Sequence, residues 1–136
     1  MATSKVKYLG NLRTEAVHLK SNTTIQTDAP TDNHGKGEKF SPTDLVATAL
    51  ANCMITLMGI QANTSKIELG NIEAEVTKIM SDKPRKIAEI AIDFYFTDKK
   101  YSEREKSILK NAAKTCPVAL SLNSELKQTV TFNFTE

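Results

Sequence analysis

Two cysteines, Cys53 and Cys116, are the side chains of this sequence best suited to chemistry. Cys53 lies within its most apolar run, FSPTDLVATALANCMITLMGI at residues 40–60, and Cys116 precedes a proline in KTCPVALSL. A thiolate is a nucleophile, and a pair of thiols can cycle through a disulfide. The N-terminus, MATSKVKYLG, lacks the apolar core of a signal peptide, so two cysteines indicate a reducing compartment. We therefore expect a cytoplasmic protein with free thiols or a redox pair.

The two thiols have different predicted surroundings. An apolar helix raises the pKa of a thiol because the thiolate loses solvation, so Cys53 is a core residue unless a cation lies beside it. Arg13, in an early strand, is the main candidate for that cation. Cys116 falls at the N-cap of a short helix that begins at Pro117, where unpaired N–H groups and the helix dipole favour a thiolate. Helix electrostatics alone therefore predict that Cys116 is the more acidic thiol.

Other chemistries fit the sequence less well. No pair among the possible zinc ligands has the short spacing of structural zinc sites; these are His18, His34, Cys53 and Cys116. The segment GKGEKF has neither the Rossmann nor the P-loop pattern, and no G-x-S-x-G or H-E-x-x-H motif occurs. We predict neither a metal nor a cofactor.

The charge pattern and the hydropathy argue against two classes of binding partner, nucleic acids and membranes. The net charge is +2, and the basic residues are mixed with acids instead of forming a stripe, which argues against nucleic acid. The apolar run from Leu45 to Ile60 contains three polar residues and is shorter than the roughly 18 residues of a spanning helix, so no membrane partner is expected.

The periodicity predicts an α+β fold in one domain over residues 1–136. Short antiparallel strands are expected in the first 28 residues, followed by the loop DAPTDNHGKGEK. A long helix then begins at an N-cap, Ser41, with Pro42 first in the helix and Asp44 completing a capping box. Because this helix is apolar on most sides, we expect it at the centre of the domain or at a subunit interface.

The second half of the chain alternates between strands and helices. NIEAEVTKIM and KIAEIAIDFYF predict two strands, and QTVTFNF predicts a closing strand. A helix in YSEREKSILKNAAK carries a second capping box, Ser102 with Glu105, and PVALSLNSEL predicts a short helix. The expected architecture is two antiparallel strand groups around one long buried central helix.

Two segments in this order, GKGEKFSPTDLVATALANC and AAKTCPV, resemble the OsmC/Ohr family of thiol-dependent peroxidases. The resemblance covers nearly the whole chain and implies an intertwined homodimer with two active sites at the subunit interface. It implies that Cys53 is the peroxidatic cysteine and Cys116 the resolving one, which reverses the order from helix electrostatics. Arg13 is the natural match for the family arginine that orients the thiolate.

The resemblance also implies a reaction. The thiolate of Cys53 attacks a hydroperoxide and becomes a sulfenic acid, Cys116 closes a disulfide, and an external dithiol reduces it. That disulfide requires the two Cα atoms to lie within about 7 Å. The leucines and methionines near Cys53 suit an organic hydroperoxide.

The sequence departs from the family at one catalytic position. The organic hydroperoxide resistance branch has a glutamate where this chain has Thr43, whereas Asp44 matches the acidic residue of the OsmC-like branch. Asp44 is either a helix cap or an acid that acts from the partner subunit or through a relay, and Glu38 is a weaker alternative acid. A dimer that binds small molecules without catalysis, and a thiol redox sensor, remain alternatives.

Overall fold

The N-terminal strands form an antiparallel sheet, as the sequence predicts. The computed structural model describes all residues, 1–136, and the chain divides into two compact units, Met1–Val46 and Ala47–Glu136. In the first unit β1 (Ser4–Gly10), β2 (Arg13–His18) and β3 (Thr23–Asp28) pair in that order. That residues 1–136 make one domain stays a prediction.

The predicted loop leads to a capped helix. Residues 29–40 contain only a short 3-10 turn, Thr31–Asn33, and α1 then covers Pro42–Thr64. The N–H of Asp44 donates to Oγ of Ser41 at 3.1 Å, and the N–H of Ser41 donates to Oδ2 of Asp44 at 2.9 Å. This reciprocal pair satisfies two N–H groups at the helix start, so the predicted capping box is confirmed.

Helix α1 is longer than the apolar run suggests. With 23 residues, it is long and apolar enough to cross a membrane by length and composition alone. The sequence argument that this run is too short to span is therefore wrong. A core helix of a water-soluble protein passes the same test, and six residues of α1 are buried.

The second unit holds a mixed sheet. Strands β4 (Ile72–Asp82) and β5 (Arg85–Phe96) are antiparallel, but β6 (Lys127–Phe134) runs parallel to β5. The expectation of two purely antiparallel groups is therefore wrong for this sheet. Two helices, α2 (Glu103–Ala113) and α3 (Pro117–Ser121), lie between β5 and β6, and such a long crossover permits parallel pairing.

The core of the second unit forms where one stripe of α1 meets the sheet. The stripe has the four-residue spacing of one helix face, and its buried residues are Ala47, Leu50, Ala51, Met54, Met58 and Ala62. They cluster with the inward face of β5, namely Ile90, Ile92, Phe94 and Phe96. Ile60 of the same helix is exposed, so the second unit by itself does not bury α1 on most sides.

The two short helices begin as predicted but differ at their ends. In α2 the N–H of Glu105 donates to Oγ of Ser102, and the N–H of Ser102 donates to Oε1 of Glu105, which confirms the second capping box. Helix α3 ends at Ser121, earlier than predicted. Asn123 then forms a turn through its side-chain oxygen, which accepts from the N–H of Glu125 at 2.8 Å and competes with helix continuation.

The Ser102 cap gives a stability prediction. We expect Ser102→Ala to lower the free energy of unfolding by about 1 kcal/mol, because the N–H of Glu105 loses its acceptor, Oγ of Ser102. Urea unfolding followed by circular dichroism measures this change. Ser107→Ala, an exposed position inside α2, is the matched control and should be neutral or slightly stabilising. Equal effects of both changes would contradict the capping argument.

Candidate functional site

The structure brings the two cysteines together. Cys53 is half-buried on α1, and Cys116 is fully buried at the N-cap of α3; both are free thiols. Cys53 packs against the buried cluster that contains Cys116, and it is a close enough neighbour of the Cys116 thiol to raise the pKa of that thiol. The sequence predicted both elements but could not show this contact, because it depends on how α3 returns against α1.

Burial controls the acidity of Cys116. Loss of solvation raises the pKa of the Cys116 thiol above its ordinary value, and the neighbouring Cys53 thiol raises it further. The N–H groups of Ala119, whose nitrogen lies 3.4 Å from Sγ, and of Val118 lower this pKa, but less. The expectation that helix position makes Cys116 an acidic thiol is therefore wrong, because desolvation outweighs the helix N-terminus.

In the first unit Arg13 is held by two carboxylates. Its Nε lies 2.6 Å from Oδ1 of Asp28, and its Nη2 lies 2.9 Å from Oδ2 of Asp28 and 2.9 Å from Oε1 of Glu38. The bidentate arrangement is the strong form of an arginine–carboxylate pair. It raises the pKa of Arg13 and holds the pKa of Asp28 below its usual value. Glu38, the weaker alternative acid from the sequence, is thus a partner of Arg13.

Asp28 is the residue of this cluster that sequence reasoning missed. It lies directly opposite Arg13 in the β2–β3 register and is 2% exposed, whereas the Glu38 side chain is 62% exposed. Asp28 also anchors the loop, because its Oδ2 accepts from the N–H of Glu38 and its N–H donates to the carbonyl of Phe40. The sequence did contain a signal for this pair. In an antiparallel hairpin the first residue of one strand faces the last residue of the next, and these two residues are Arg13 and Asp28.

Asp44 and Thr43 lie in the first turn of α1. Asp44 is half-buried and completes the cap with Ser41, while the Thr43 hydroxyl lies 3.2 Å from Oγ of Ser41. Nine helical residues separate Asp44 from Cys53, about 13.5 Å along the axis, so the two do not touch within one helix. The roles of Arg13 and Asp44 toward Cys53 stay predictions.

The sequence-predicted alternatives to thiol chemistry involve the histidines. His18 is exposed on β2, and its Nδ1 lies 2.6 Å from Oγ of Ser21 at the following turn. No cluster of three histidine, cysteine or carboxylate side chains suited to a metal ion forms. That the protein uses neither a metal nor a cofactor stays a prediction.

The Arg13–Asp28 pair predicts a pH-dependent stability. Because the pKa of Asp28 is lowered in the folded state, its ionised form stabilises the fold at neutral pH, and this contribution disappears as the pH falls below about 4. We expect Asp28→Asn to unfold at lower urea concentration than the wild type at pH 7, with a smaller difference at pH 3. Glu38→Gln should have the weaker effect, because that carboxylate is mostly exposed. A difference that does not change with pH would contradict this assignment.

The raised pKa of Cys116 predicts slow alkylation. In reduced Cys53→Ser protein, Cys116 should react with iodoacetamide much more slowly in the native state than in urea, because it is buried and protonated. The native rate should increase as the pH rises above 9. Mass spectrometry of timed samples measures both rates. Equal rates in buffer and in urea at neutral pH would show that neither burial nor the raised pKa protects this thiol.

Comparisons with known proteins agree with this fold. The family model described as "OsmC-like protein" matches residues 35–131. No curated protein sequence matches the chain. Among solved structures, a protein from Psychrobacter arcticus 273-4, described provisionally as an osmotic stress induced and detoxification response protein, is 49% identical; the match covers 98% of this chain and 96% of that one, with a TM-score of 0.92.

More distant structures share the fold. An organic hydroperoxide resistance protein OsmC from Legionella pneumophila is 18% identical over 98% of both chains, with a TM-score of 0.73. The organic hydroperoxide resistance protein OhrB of Bacillus subtilis is 18% identical over 97% of this chain and 98% of its own, with a TM-score of 0.68. The α+β architecture, with two small sheets and a long helix, is that of these proteins. With the family model matching more than half of its length and a relative of 49% identity, the chain belongs to the OsmC/Ohr family.

Proposed function

We propose that this protein is a thiol-dependent peroxidase that reduces organic hydroperoxides and also hydrogen peroxide. The packing of Cys53 against the cluster that holds Cys116, with the two thiols as electrostatic neighbours, is the observation that carries the proposal, because a disulfide cycle needs two neighbouring sulfurs. The organic hydroperoxide resistance proteins among the structural neighbours support the same chemistry.

The exposure of the two thiols supports different roles for them. Cys53 is half-buried and is the thiol that a peroxide reaches, whereas Cys116 is fully buried and has a raised pKa. A protonated, buried thiol is a poor nucleophile toward a free peroxide. We therefore assign Cys53 as the peroxidatic cysteine and Cys116 as the resolving cysteine.

The proposed cycle has three steps. The Cys53 thiolate attacks the distal oxygen of the hydroperoxide, the O–O bond breaks, and the alkoxide takes a proton and leaves as an alcohol while sulfur becomes a sulfenic acid. The sulfur of Cys116 then attacks that of Cys53, which forms a disulfide and releases water. An external dithiol reduces the disulfide by exchange and is itself oxidised to a disulfide.

Arg13 and Asp44 complete the proposed site. Arg13 would supply the positive charge that favours the Cys53 thiolate, and its ion pairs with Asp28 and Glu38 would keep the guanidinium in one orientation. Asp44 would act from the partner subunit or through a relay, since it cannot reach Cys53 along its own helix.

We further propose a cytoplasmic, intertwined homodimer of the OsmC-like branch. Thr43 in place of the glutamate of the organic hydroperoxide resistance branch supports this assignment. Exposed apolar side chains on α1, Val46 and Ile60, support a second copy against that helix.

Mass spectrometry of the intact protein tests the proposed peroxidase function. One equivalent of cumene hydroperoxide, added to reduced wild-type protein, should remove the mass of two hydrogens as the disulfide forms. The same treatment of Cys116→Ser should add the mass of one oxygen, because the sulfenic acid has no thiol to condense with. Cys53→Ser should show no change at one equivalent and should not consume peroxide in a turnover assay with dithiothreitol.

Three outcomes would contradict this proposal. Full turnover by Cys53→Ser protein would remove Cys53 from the mechanism. No mass change in the folded wild-type protein would favour a non-catalytic binding protein. Disulfide formation without turnover, in the presence of a physiological dithiol, would instead favour a redox sensor.

A further inference from the structure

The second unit contains a cavity that the proposed thiol cycle does not use. Its volume is about 310 Å³, at the lower end of small-molecule sites. It is lined by Met54 of α1, Ala113 and Lys114 at the end of α2, Ala119 of α3, and Gln128, Val130 and Phe132 of β6. Neither cysteine lines this cavity. We therefore consider this cavity as a site for a molecule other than the hydroperoxide.

The walls of the cavity are mostly hydrocarbon. Met54 and Ala113 are buried, and Val130 and Phe132 are half-buried on one face of β6. The amide nitrogen of Gln128 donates to the carbonyl of Ala119 at 3.1 Å, so this polar side chain is already engaged. Such walls fit an aliphatic chain, which gains from leaving water and needs no hydrogen-bond partner.

Lys114 is the one basic residue that lines the cavity, and it continues a row of lysines. Lys106 and Lys110 lie one turn apart on α2, and Lys114, the C-cap of that helix, follows four residues later. The ammonium groups of Lys106 and Lys110 lie 5.4 Å and 5.8 Å from the ring centre of Phe134, which follows Phe132 on the same face of β6. This lysine row therefore runs beside the apolar row of β6.

The lysine row is only partly neutralised. Lys106 pairs with Glu103 at 3.3 Å, but Lys110 and Lys114 have no ion pair in the chain. No carboxylate lines the cavity. An anionic group near Lys114 would thus meet attraction without a competing acid.

We propose that this cavity binds an aliphatic monocarboxylate of medium chain length, with the hydrocarbon chain between α1 and β6 and the carboxylate at Lys114. The apolar walls favour a hydrocarbon chain, and the lysine favours a ligand with a negative charge. An uncharged molecule with the same chain satisfies only the first requirement.

Calorimetric titration with decanoate tests the proposal. The protein is the Cys53→Ser/Cys116→Ser double variant, which has no thiol chemistry, so failure here is distinguishable from failure of the peroxidase proposal. We expect saturable binding of one decanoate per chain, and about tenfold weaker binding of decanol, which lacks the charge.

Substitutions then test whether Lys114 is the residue that binds the carboxylate. In the double-variant background, Lys114→Met should abolish the preference for decanoate over decanol. Lys100→Met is the matched control, because this exposed lysine does not line the cavity and should leave the preference intact. Equal affinity for decanoate and decanol before any substitution, or an unchanged preference in Lys114→Met, would overturn the proposal.

A second measurement locates the hydrocarbon chain of the bound decanoate. Decanoate should shift the backbone amide resonances of Ala113, Ala119 and Val130 in ¹⁵N-labelled protein, and Ala119→Leu, which fills the cavity, should weaken binding at least tenfold. Resonance shifts confined to other parts of the chain, undiminished binding by folded Ala119→Leu, or absence of saturable binding would each overturn the assignment.

Discussion

The packing of one stripe of α1 against β5 is the constraint on which the second unit depends. The buried positions of α1 are small or flexible, alanine, leucine and methionine, whereas β5 contributes isoleucines and phenylalanines. Small residues on the helix let it approach the larger side chains of the strand closely. Cys53 lies one residue before Met54 of this stripe and is therefore carried at its edge, half-exposed instead of sealed in the core.

The parallel β5–β6 pair depends on the same core. Phe94 and Phe96 on β5 lie opposite Phe132 and Phe134 on β6, with ring centres 5.4 Å and 4.2 Å apart. These pairs fix the register of the last strand. With that register fixed, the chain between the two strands must return past α1 through α2 and α3. The Cys116 thiol is thereby brought to Cys53.

Local sequence patterns were sufficient to predict the helices and strands but not the contacts between them. Ser41 with Asp44 and Ser102 with Glu105 each satisfy N–H groups within four residues, so both helix starts could be predicted. The Arg13–Asp28 pair depends on strand register across fifteen residues of sequence, and no local pattern specifies it. The parallel direction of β6 likewise depends on contacts far apart along the chain. The family resemblance supplied the cysteine roles, which the residues alone did not.

The position of Cys116 shows why a local electrostatic rule failed. A helix N-terminus favours a thiolate when the thiol faces solvent, since the dipole then acts without a competing loss of hydration. Here the same N-cap geometry points the sulfur into the core, where it loses all exposure. Its own helix still donates an N–H to it, from Ala119, but burial and the neighbouring Cys53 outweigh this contact. A thiol kept protonated beside a more accessible one is poorly reactive on its own, which suits the resolving role proposed for Cys116.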